Sequence, residues 1–109
     1  MGYTCGLVEK WNAFAKVKQD LFGFIDIVAI NGKEILGVQC TSLGGHSARK
    51  TKILKSPLAP IWINSGARVQ VWGWKKTGNK WETKIEEIFA DGRSTILIAV
   101  KNRTTKEAT

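Results

Sequence analysis

Residues 24–41 read FIDIVAINGKEILGVQCT, two runs rich in β-branched residues on either side of Asn31-Gly32. An Asn-Gly pair between such runs is the strongest short-range signal for a β-hairpin. The first run is apolar on both faces, which is typical of a central strand covered on two sides. The stretch therefore predicts a central hairpin built from residues 24–30 and 35–41.

Asp26 is the exception in the otherwise apolar first run. Burying an ionised carboxylate alone costs several kcal/mol, about what a small domain has to spare, so it needs a cation, a donor or a solvent channel. Side-chain alternation puts Asp26 on the same strand face as Phe24 and Val28. We predict that Asp26 marks a functional site.

The length of the hairpin loop decides which residue faces Asp26. A two-residue loop places Asp26 opposite Gly37, with Gln39 on the diagonal, and a four-residue loop places it directly opposite Gln39. Either loop keeps Asp26, Gln39 and Thr41 on one face. Only a three-residue loop would separate them.

An acid on one strand and a polar-x-polar pair on the next form a layout that holds Mg²⁺ or Mn²⁺ against a scissile phosphate. Mg²⁺ prefers oxygen ligands and takes one or two carboxylates, with water, carbonyl and phosphate oxygens in the remaining positions. The bound ion lowers the pKa of an attacking water. Gly37 is expected to leave room for the approaching phosphate.

Outside this hairpin, hydrophobic patterns and turn signals predict the other elements. We expect a strand over residues 3–11, a loop over 12–19, helices over 46–55 and 60–63, a second hairpin of residues 68–75 and 81–89, and a final strand over 94–100. The order β-β-β-α-(α)-β-β-(β) predicts an α+β domain, with a mixed central sheet flanked by helices. Residues 1–100 are expected to form a single domain, and residues 101–109 a polar C-terminal tail.

The charge of the chain indicates a nucleic-acid partner. Among 109 residues, 17 Lys and Arg stand against nine Asp and Glu, which gives a net charge of +8. A domain this basic attracts polyanions, because neutralising phosphates releases their counterions. The basic residues that we expect to touch nucleic acid lie on the predicted first helix and at the second hairpin: His46, Arg49, Lys50, Lys52, Lys55, Lys75 and Lys76.

The composition excludes several classes of protein. Hydrophobic residues make up 43% of the chain, including five Trp, so intrinsic disorder is excluded for most of it. No window reaches the ~18 apolar residues of a membrane helix, and the first residues lack a signal-peptide pattern, so we expect a soluble, cytoplasmic protein. Cys5 and Cys40 have neither the number nor the spacing of a disulfide framework or a thiolate zinc site.

Four stretches together resemble small members of the PD-(D/E)XK nuclease superfamily, notably those related to Holliday-junction resolvases. They are residues 20–26 (DLFGFID), 38–42 (VQCTS), 48–53 (ARKTKI) and 71–75 (VWGWK). The similarity spans about residues 6–90. It implies a restriction-endonuclease-like fold with an αβββαβ core, whose first helix is missing or vestigial in this chain.

Carried over residue by residue, the resemblance implies a metal site. Residues 23–26 match the family's Gly-x-x-Asp motif, and residues 39–41 stand where the family has Glu/Gln-x-Lys. The implied cofactor is Mg²⁺ or Mn²⁺. Its implied ligands are Asp26, Gln39, the backbone carbonyl of Cys40, and an additional acid from Glu9 or Asp20.

The chain departs from the family at Thr41, which replaces a lysine that orients the attacking water. In some members this lysine lies on the following helix, where Arg49, Lys50 and Lys52 are available here. The catalytic residues implied are Asp26, Gln39, Thr41, Lys50 and Lys52.

The activity implied is metal-dependent hydrolysis of phosphodiester bonds in double-stranded or branched DNA by a homodimer. Two alternatives stay open. One is a non-catalytic nucleic-acid-binding module on the same fold. The other is a nuclease-like subunit that needs a partner chain to complete its site.

Overall fold

The computed structural model describes residues 2–8, 10–14 and 17–101. Its strands are β1 (Thr4–Leu7), β2 (Lys10–Asn12), β3 (Val17–Gln19), β4 (Ile27–Ile30), β5 (Ile35–Ser42), β6 (Arg68–Thr77), β7 (Lys80–Ile88) and β8 (Ser94–Lys101). The helices are α1 (His46–Lys55) and α2 (Leu58–Asn64), and a 3₁₀ turn, Leu43–Gly45, precedes α1. No helix in this part of the chain is long and apolar enough to cross a membrane.

Six strands form one mixed sheet in the order β1-β4-β5-β6-β7-β8, while β2 and β3 form a separate hairpin. Within the six-stranded sheet, β5 and β6 are parallel and the other neighbours are antiparallel. A parallel pair needs a long crossover connection, and α1 and α2 supply it. The α+β class with a mixed sheet and helices, predicted from the sequence, is confirmed.

The predicted elements are confirmed in type more often than in their ends. The helix predicted over residues 46–55 coincides with α1, and the second hairpin and final strand are present as β6, β7 and β8. The prediction of a loop over residues 12–19 was wrong, because this segment contains β3, which pairs with β2. The first strand was predicted to run to residue 11, but β1 ends at Leu7.

The central hairpin uses the four-residue loop. Ile30 pairs with Ile35, and the side-chain oxygen of Asn31 accepts hydrogen bonds from the backbone N–H groups of the two residues before Ile35. Asn commonly stabilises turns in this way. Asp26 lies just before β4, where its backbone N–H donates to the carbonyl of Val38 at 2.9 Å and its side chain contacts Gln39.

Both helices pack on one face of the sheet, which we call the site face. The buried apolar residues there are Phe24, Ile25, Ile53, Ala59, Val69, Val71 and Ile88. The opposite face carries a smaller cluster of Ala29, Leu36 and Val38, beside a groove of about 410 Å³. At the edge of this groove, Arg68 is paired with Glu34 and Glu87.

Gly37 makes room for α2, and the expectation that it leaves room for a phosphate was wrong. A Cβ atom at Gly37 would lie 3.0 Å from Ile25 Cδ1 and 3.0 Å from Trp62 Cζ2. These two side chains fill the space above the glycine. Trp62 is fixed in place because its indole N–H donates to the carbonyl of Arg68 at 2.8 Å.

We expect Gly37→Ala to lower the free energy of unfolding by about 1–3 kcal/mol, the usual cost of overpacking a core. Gly6→Ala on β1 is the matched control, since a Cβ there meets no atom within 4 Å, and its effect should stay within about 0.5 kcal/mol. Urea denaturation of the two variants measures the difference. Equal effects would contradict the packing role of Gly37.

Candidate functional site

A polar cleft of about 660 Å³ opens on the site face, where Asp26 lies. The end of β3, the turn before β4, the middle of β5 and one side of α1 contribute to it. The lining residues are Gln19, Asp20, Gly23, Asp26, Gln39, Cys40, Arg49 and Lys52. Acidic, amide and basic groups from distant parts of the sequence therefore meet in one cleft.

Asp26 is a buried carboxylate, 8% exposed. Its Oδ2 accepts a hydrogen bond from Gln39 Nε2 at 2.8 Å and another from the backbone N–H of Cys40 at 2.9 Å. Burial, and after it a hydrogen bond shared with Asp20, raise the pKa of Asp26 to about 6, while the backbone N–H of Cys40 acts in the opposite direction. No ion pair to Asp26 is present among the described residues. The carboxylate is held in place by neutral donors and is not neutralised.

Asp20 brings a second carboxyl group to the cleft. It can share a hydrogen bond with Asp26 when one of the two carboxyl groups is protonated, and its Oδ2 lies 3.6 Å from Lys52 Nζ. Two carboxyl groups in such contact resist ionising together, because their negative charges repel. A cation placed between them relieves that repulsion.

Gln39 has 1% of its surface exposed, and its amide oxygen Oε1 has no hydrogen-bond partner among the described residues. Leaving a buried carbonyl oxygen unpaired costs about 1–3 kcal/mol. An amide oxygen beside carboxylates is a ligand that Mg²⁺ accepts. Gln39 thus has an unused acceptor next to the acids that would share the ion.

A tight turn at Phe22-Gly23 brings Asp20 alongside Asp26. Both turn residues have positive φ, 54° and 84°, and Leu21 and Ile25 exchange backbone hydrogen bonds of 2.9 and 3.0 Å across the turn. Placing a residue that has a Cβ atom in this left-handed conformation costs about 1 kcal/mol of folding free energy. The Phe22 ring lies 6.1 Å from the Trp62 ring, a contact that offsets part of this cost. The same turn delays the start of β4, which was predicted at residue 24.

Arg49 and Lys52 supply the positive charge of the cleft. They are three residues apart on α1, so they lie on the same side of the helix. Lys50 was predicted to be catalytic and to bind nucleic acid, but it lies on another side of α1, where its Nζ is 2.8 Å from Glu86 Oε2. This ion pair to β7 holds Lys50 outside the cleft.

His46 was expected to touch phosphate, and the structure corrects this expectation. It is 3% exposed, packed over Gly73, and its Nδ1 lies 3.8 Å from Glu86 Oε1. Burial lowers the pKa of His46, and the charge of Lys84 lowers it further. A buried imidazole at this position anchors the start of α1 to the sheet.

The remaining predicted residues contribute no side chain to the cleft among those that the structure describes. Thr41, in the family's lysine position, does not line the cleft, because its hydroxyl lies against the backbone of Gly45. Cys40 presents its backbone to the cleft, and its side chain packs with the cluster on the opposite face. Outside the cleft are Lys55 at the end of α1 and Lys75 and Lys76 at the β6–β7 hairpin, and Glu9 lies outside the described residues.

Sequence reasoning missed Gln19 in the cleft and Glu86 behind α1. Glu86 is 4% exposed and accepts hydrogen bonds from Lys50 and Ser94. The signal that singled out Asp26 is absent here, because the strand reads KWETKIEEI and Glu86 is one of three acids in it. Gln19 gave no such signal, because its place depends on the unforeseen β3.

Comparisons with protein-family models, with curated proteins and with solved structures found no match. The fold and the site define the chain as a mixed α+β domain with a cleft that combines two carboxyl groups, a buried amide and two cations. The resemblance to PD-(D/E)XK nucleases stays a prediction from the sequence.

We expect Asp26→Asn to stabilise the protein by about 3 kcal/mol at pH 7.5, since a pKa of about 6 in the folded state exceeds the value near 4 in an unfolded chain. The unfolded state releases this proton first, so wild-type stability falls as pH rises from about 4 to about 6 and stays lower above that range. The gain in stability from Asp26→Asn should disappear at pH 4.

Asp91→Asn is the matched control, because Asp91 is exposed on the turn after β7 and an Asn side chain can keep its hydrogen bond to the N–H of Arg93. Urea denaturation at the two pH values compares the variants. A gain that is equal at pH 4 and pH 7.5 would show that the cost of ionising Asp26 is not the cause.

Proposed function

We propose that this chain is a metal-dependent, nuclease-like protein that binds DNA and hydrolyses phosphodiester bonds. The observation that carries the proposal is the buried Asp26 carboxylate, held by neutral donors in a cleft that also contains Arg49 and Lys52. Beside it lies the Gln39 amide oxygen, which has no partner in the described part of the chain. Acids that can share a cation and bases that can bind a phosphate lie within one opening. This combination favours phosphodiester chemistry over simple binding of an anion.

The residues present fit a divalent cation. Asp26 and Asp20 provide two carboxyl groups, and Gln39 Oε1 provides a neutral oxygen, with the Cys40 carbonyl as the further ligand that the resemblance implies. Mg²⁺ commonly takes one or two carboxylates and completes its coordination with water and phosphate oxygens. When bound, Mg²⁺ or Mn²⁺ polarises the phosphate and lowers the pKa of a nearby water.

Arg49 and Lys52 bind and orient the phosphate in this proposal. Arg offers a planar fork that matches phosphate oxygens, and Lys offers a compact charge. Charges fixed in place before the reaction stabilise the negative charge that develops on the phosphate. Lys52, whose Nζ lies 3.6 Å from Asp20 Oδ2, has the role of the family's lysine, which orients the attacking water and is replaced here by Thr41.

Double-stranded or branched DNA as substrate, and a homodimer as the working unit, belong to this proposal through the resemblance. The net charge of +8 supports attraction to DNA of either form. The parallel pair β5–β6 joined by helices, with an acid just before β4 and a glutamine on β5, supports a nuclease-like fold.

A second candidate function is a nucleic-acid-binding module without hydrolytic activity. The position of Thr41 favours it, since this residue supplies no charge to the cleft. The contact between Lys52 and Asp20 also favours it, because part of the lysine charge is already paired.

Mn²⁺ binding tests the metal site without reference to activity. We expect titration calorimetry and the electron paramagnetic resonance of Mn²⁺ to show one bound ion per chain. Asp26→Ala should weaken this binding at least about tenfold, because a first-sphere carboxylate is lost. Asp91→Ala should bind like the wild type. Equal affinity in the two variants would place the ion elsewhere.

Cleavage tests the activity. Purified protein is incubated with supercoiled, single-stranded and four-way-junction DNA in Mg²⁺, Mn²⁺ or EDTA. We expect metal-dependent cleavage that Asp26→Ala abolishes and that Lys52→Ala slows about 100-fold, the usual effect of removing one electrostatic donor. Lys55→Ala, on the same helix but outside the cleft, should change the cleavage rate of a short substrate less than about threefold.

DNA binding without metal-dependent cleavage would support the binding module and contradict hydrolysis. Cleavage that survives Asp26→Ala would show that the site is wrong.

A further inference from the structure

The hairpin of β6 and β7 projects beyond the rest of the sheet. β5 ends at Ser42, which pairs with Trp74, and β8 ends at Lys101, which pairs with Glu82. We call residues 74–84 the arm, which includes this projecting end and the paired residues next to it. Its tip is the two-residue loop Gly78-Asn79, and every residue from 74 to 81 is exposed. Two-residue loops of this kind hold their strands in fixed register, so the arm is a defined ribbon.

The pairing register assigns each lysine of this hairpin to a face. Gly73 packs against His46 and therefore lies on the site face, and Lys84 pairs with Gly73. Since successive strand residues alternate between faces, Lys75 also lies on the site face. Lys80 joins it there, because it pairs with Thr77, two residues beyond Lys75.

The other face of the arm has different chemistry. Lys76 and Trp81 pair there, and the Lys76 Nζ lies 5.5 Å from the centre of the Trp81 ring. Trp74 lies on the same face as Lys76, two residues away. The arm therefore has a lysine side on the sheet face that carries the cleft, and a side with tryptophan and Lys76 on the opposite face.

We propose that the site face of the arm binds the backbone of duplex DNA on one flank of the cleft, through Lys75, Lys80 and Lys84. This inference rests on the proposed function, because it names the form of DNA that the cleft receives. Glu82 also lies on this face, opposite Lys75, so the surface has a net charge of +2 from three lysines and one glutamate.

The spacing of the cations favours a duplex. Gln39 pairs with Val71, and Thr77 at the tip is the sixth residue after Val71, which is ~20 Å along a strand. A duplex rises 3.4 Å per base pair, so the tip reaches the backbone about six base pairs from the cleft. A stiff duplex presents phosphates at such fixed distances, since its persistence length is about 150 base pairs.

The distribution of aromatic residues also favours a duplex. Proteins that bind single strands combine a cationic groove with aromatic rings on which bases stack. On this arm, Trp74 and Trp81 both lie on the face away from the cleft. Among the described residues, the site face of the arm has lysines but no aromatic ring on which a base could stack. Such a surface suits a duplex, because the bases of a duplex are paired and only its backbone is accessible.

Lys75 and Lys76 allow a matched test, since they are neighbours with equal charge on opposite faces. Binding of a labelled 24-base-pair duplex is followed by fluorescence anisotropy in EDTA, so that no cleavage occurs. Lys75→Ala should reduce the slope of log affinity against log salt by about 0.9, the value for one phosphate contact. Lys75→Ala combined with Lys80→Ala should weaken binding at least about tenfold in 0.1 M salt.

Three further measurements complete the test. Lys76→Ala should leave the salt slope unchanged, and Glu82→Gln should strengthen duplex binding. The double variant should change binding of a 24-nucleotide single strand less than threefold. Circular dichroism and melting temperature confirm that each variant folds.

Equal effects of Lys75→Ala and Lys76→Ala would overturn the assignment to one face, while DNA binding itself would stand. Equal losses for duplex and single strand would overturn the duplex as substrate form. If the wild-type protein binds neither the duplex nor the single strand, both the proposed function and the role of the arm are overturned.

Discussion

The hydrogen bonds that Asp26 accepts from Gln39 and from the backbone of Cys40 are the constraint on which the site depends. They join the residue before β4 to the middle of β5, and they fix a carboxylate where burial opposes its charge. Neutral donors orient the carboxylate without cancelling its negative charge. The acid therefore keeps its capacity to bind a cation, at a cost that the surrounding core must offset.

Several features that lower the stability of the folded state lie around this carboxylate. Asp26 is desolvated, Gln39 holds a buried oxygen that no described residue pairs with, and Phe22 adopts a positive φ. Each is of the order of 1–3 kcal/mol, a large fraction of the stability of a small domain. Such features persist when the structure around them is well packed, and here α1 and α2 provide that packing on the same face. Strain and desolvation concentrated at one cleft are typical of functional sites.

The elements confirmed from the sequence are those with strong local signals. The Asn-Gly turn predicted the central hairpin, and the polar stretch that ends before Ser56-Pro57 predicted the exact range of α1. Asp26 was found because an acid in an apolar strand needs a specific reason. The errors concern long-range packing: β3 forms only against β2, and the space at Gly37 is filled by Trp62, which lies 25 residues further along the chain.

The sequence by itself determined the hairpin, the helix range and the acid, because β-branched runs, turn residues and a single buried charge act over a few residues. Only the tertiary structure decided which cation of α1 serves the cleft. Arg49 and Lys50 differ by a rotation of about 100° around the helix axis, and both look alike in a sequence. Burial of His46 and Ile53 against the sheet orients the helix, and the ion pair between Lys50 and Glu86 on β7 agrees with that rotation. Contacts between residues so far apart form only when the sheet is assembled.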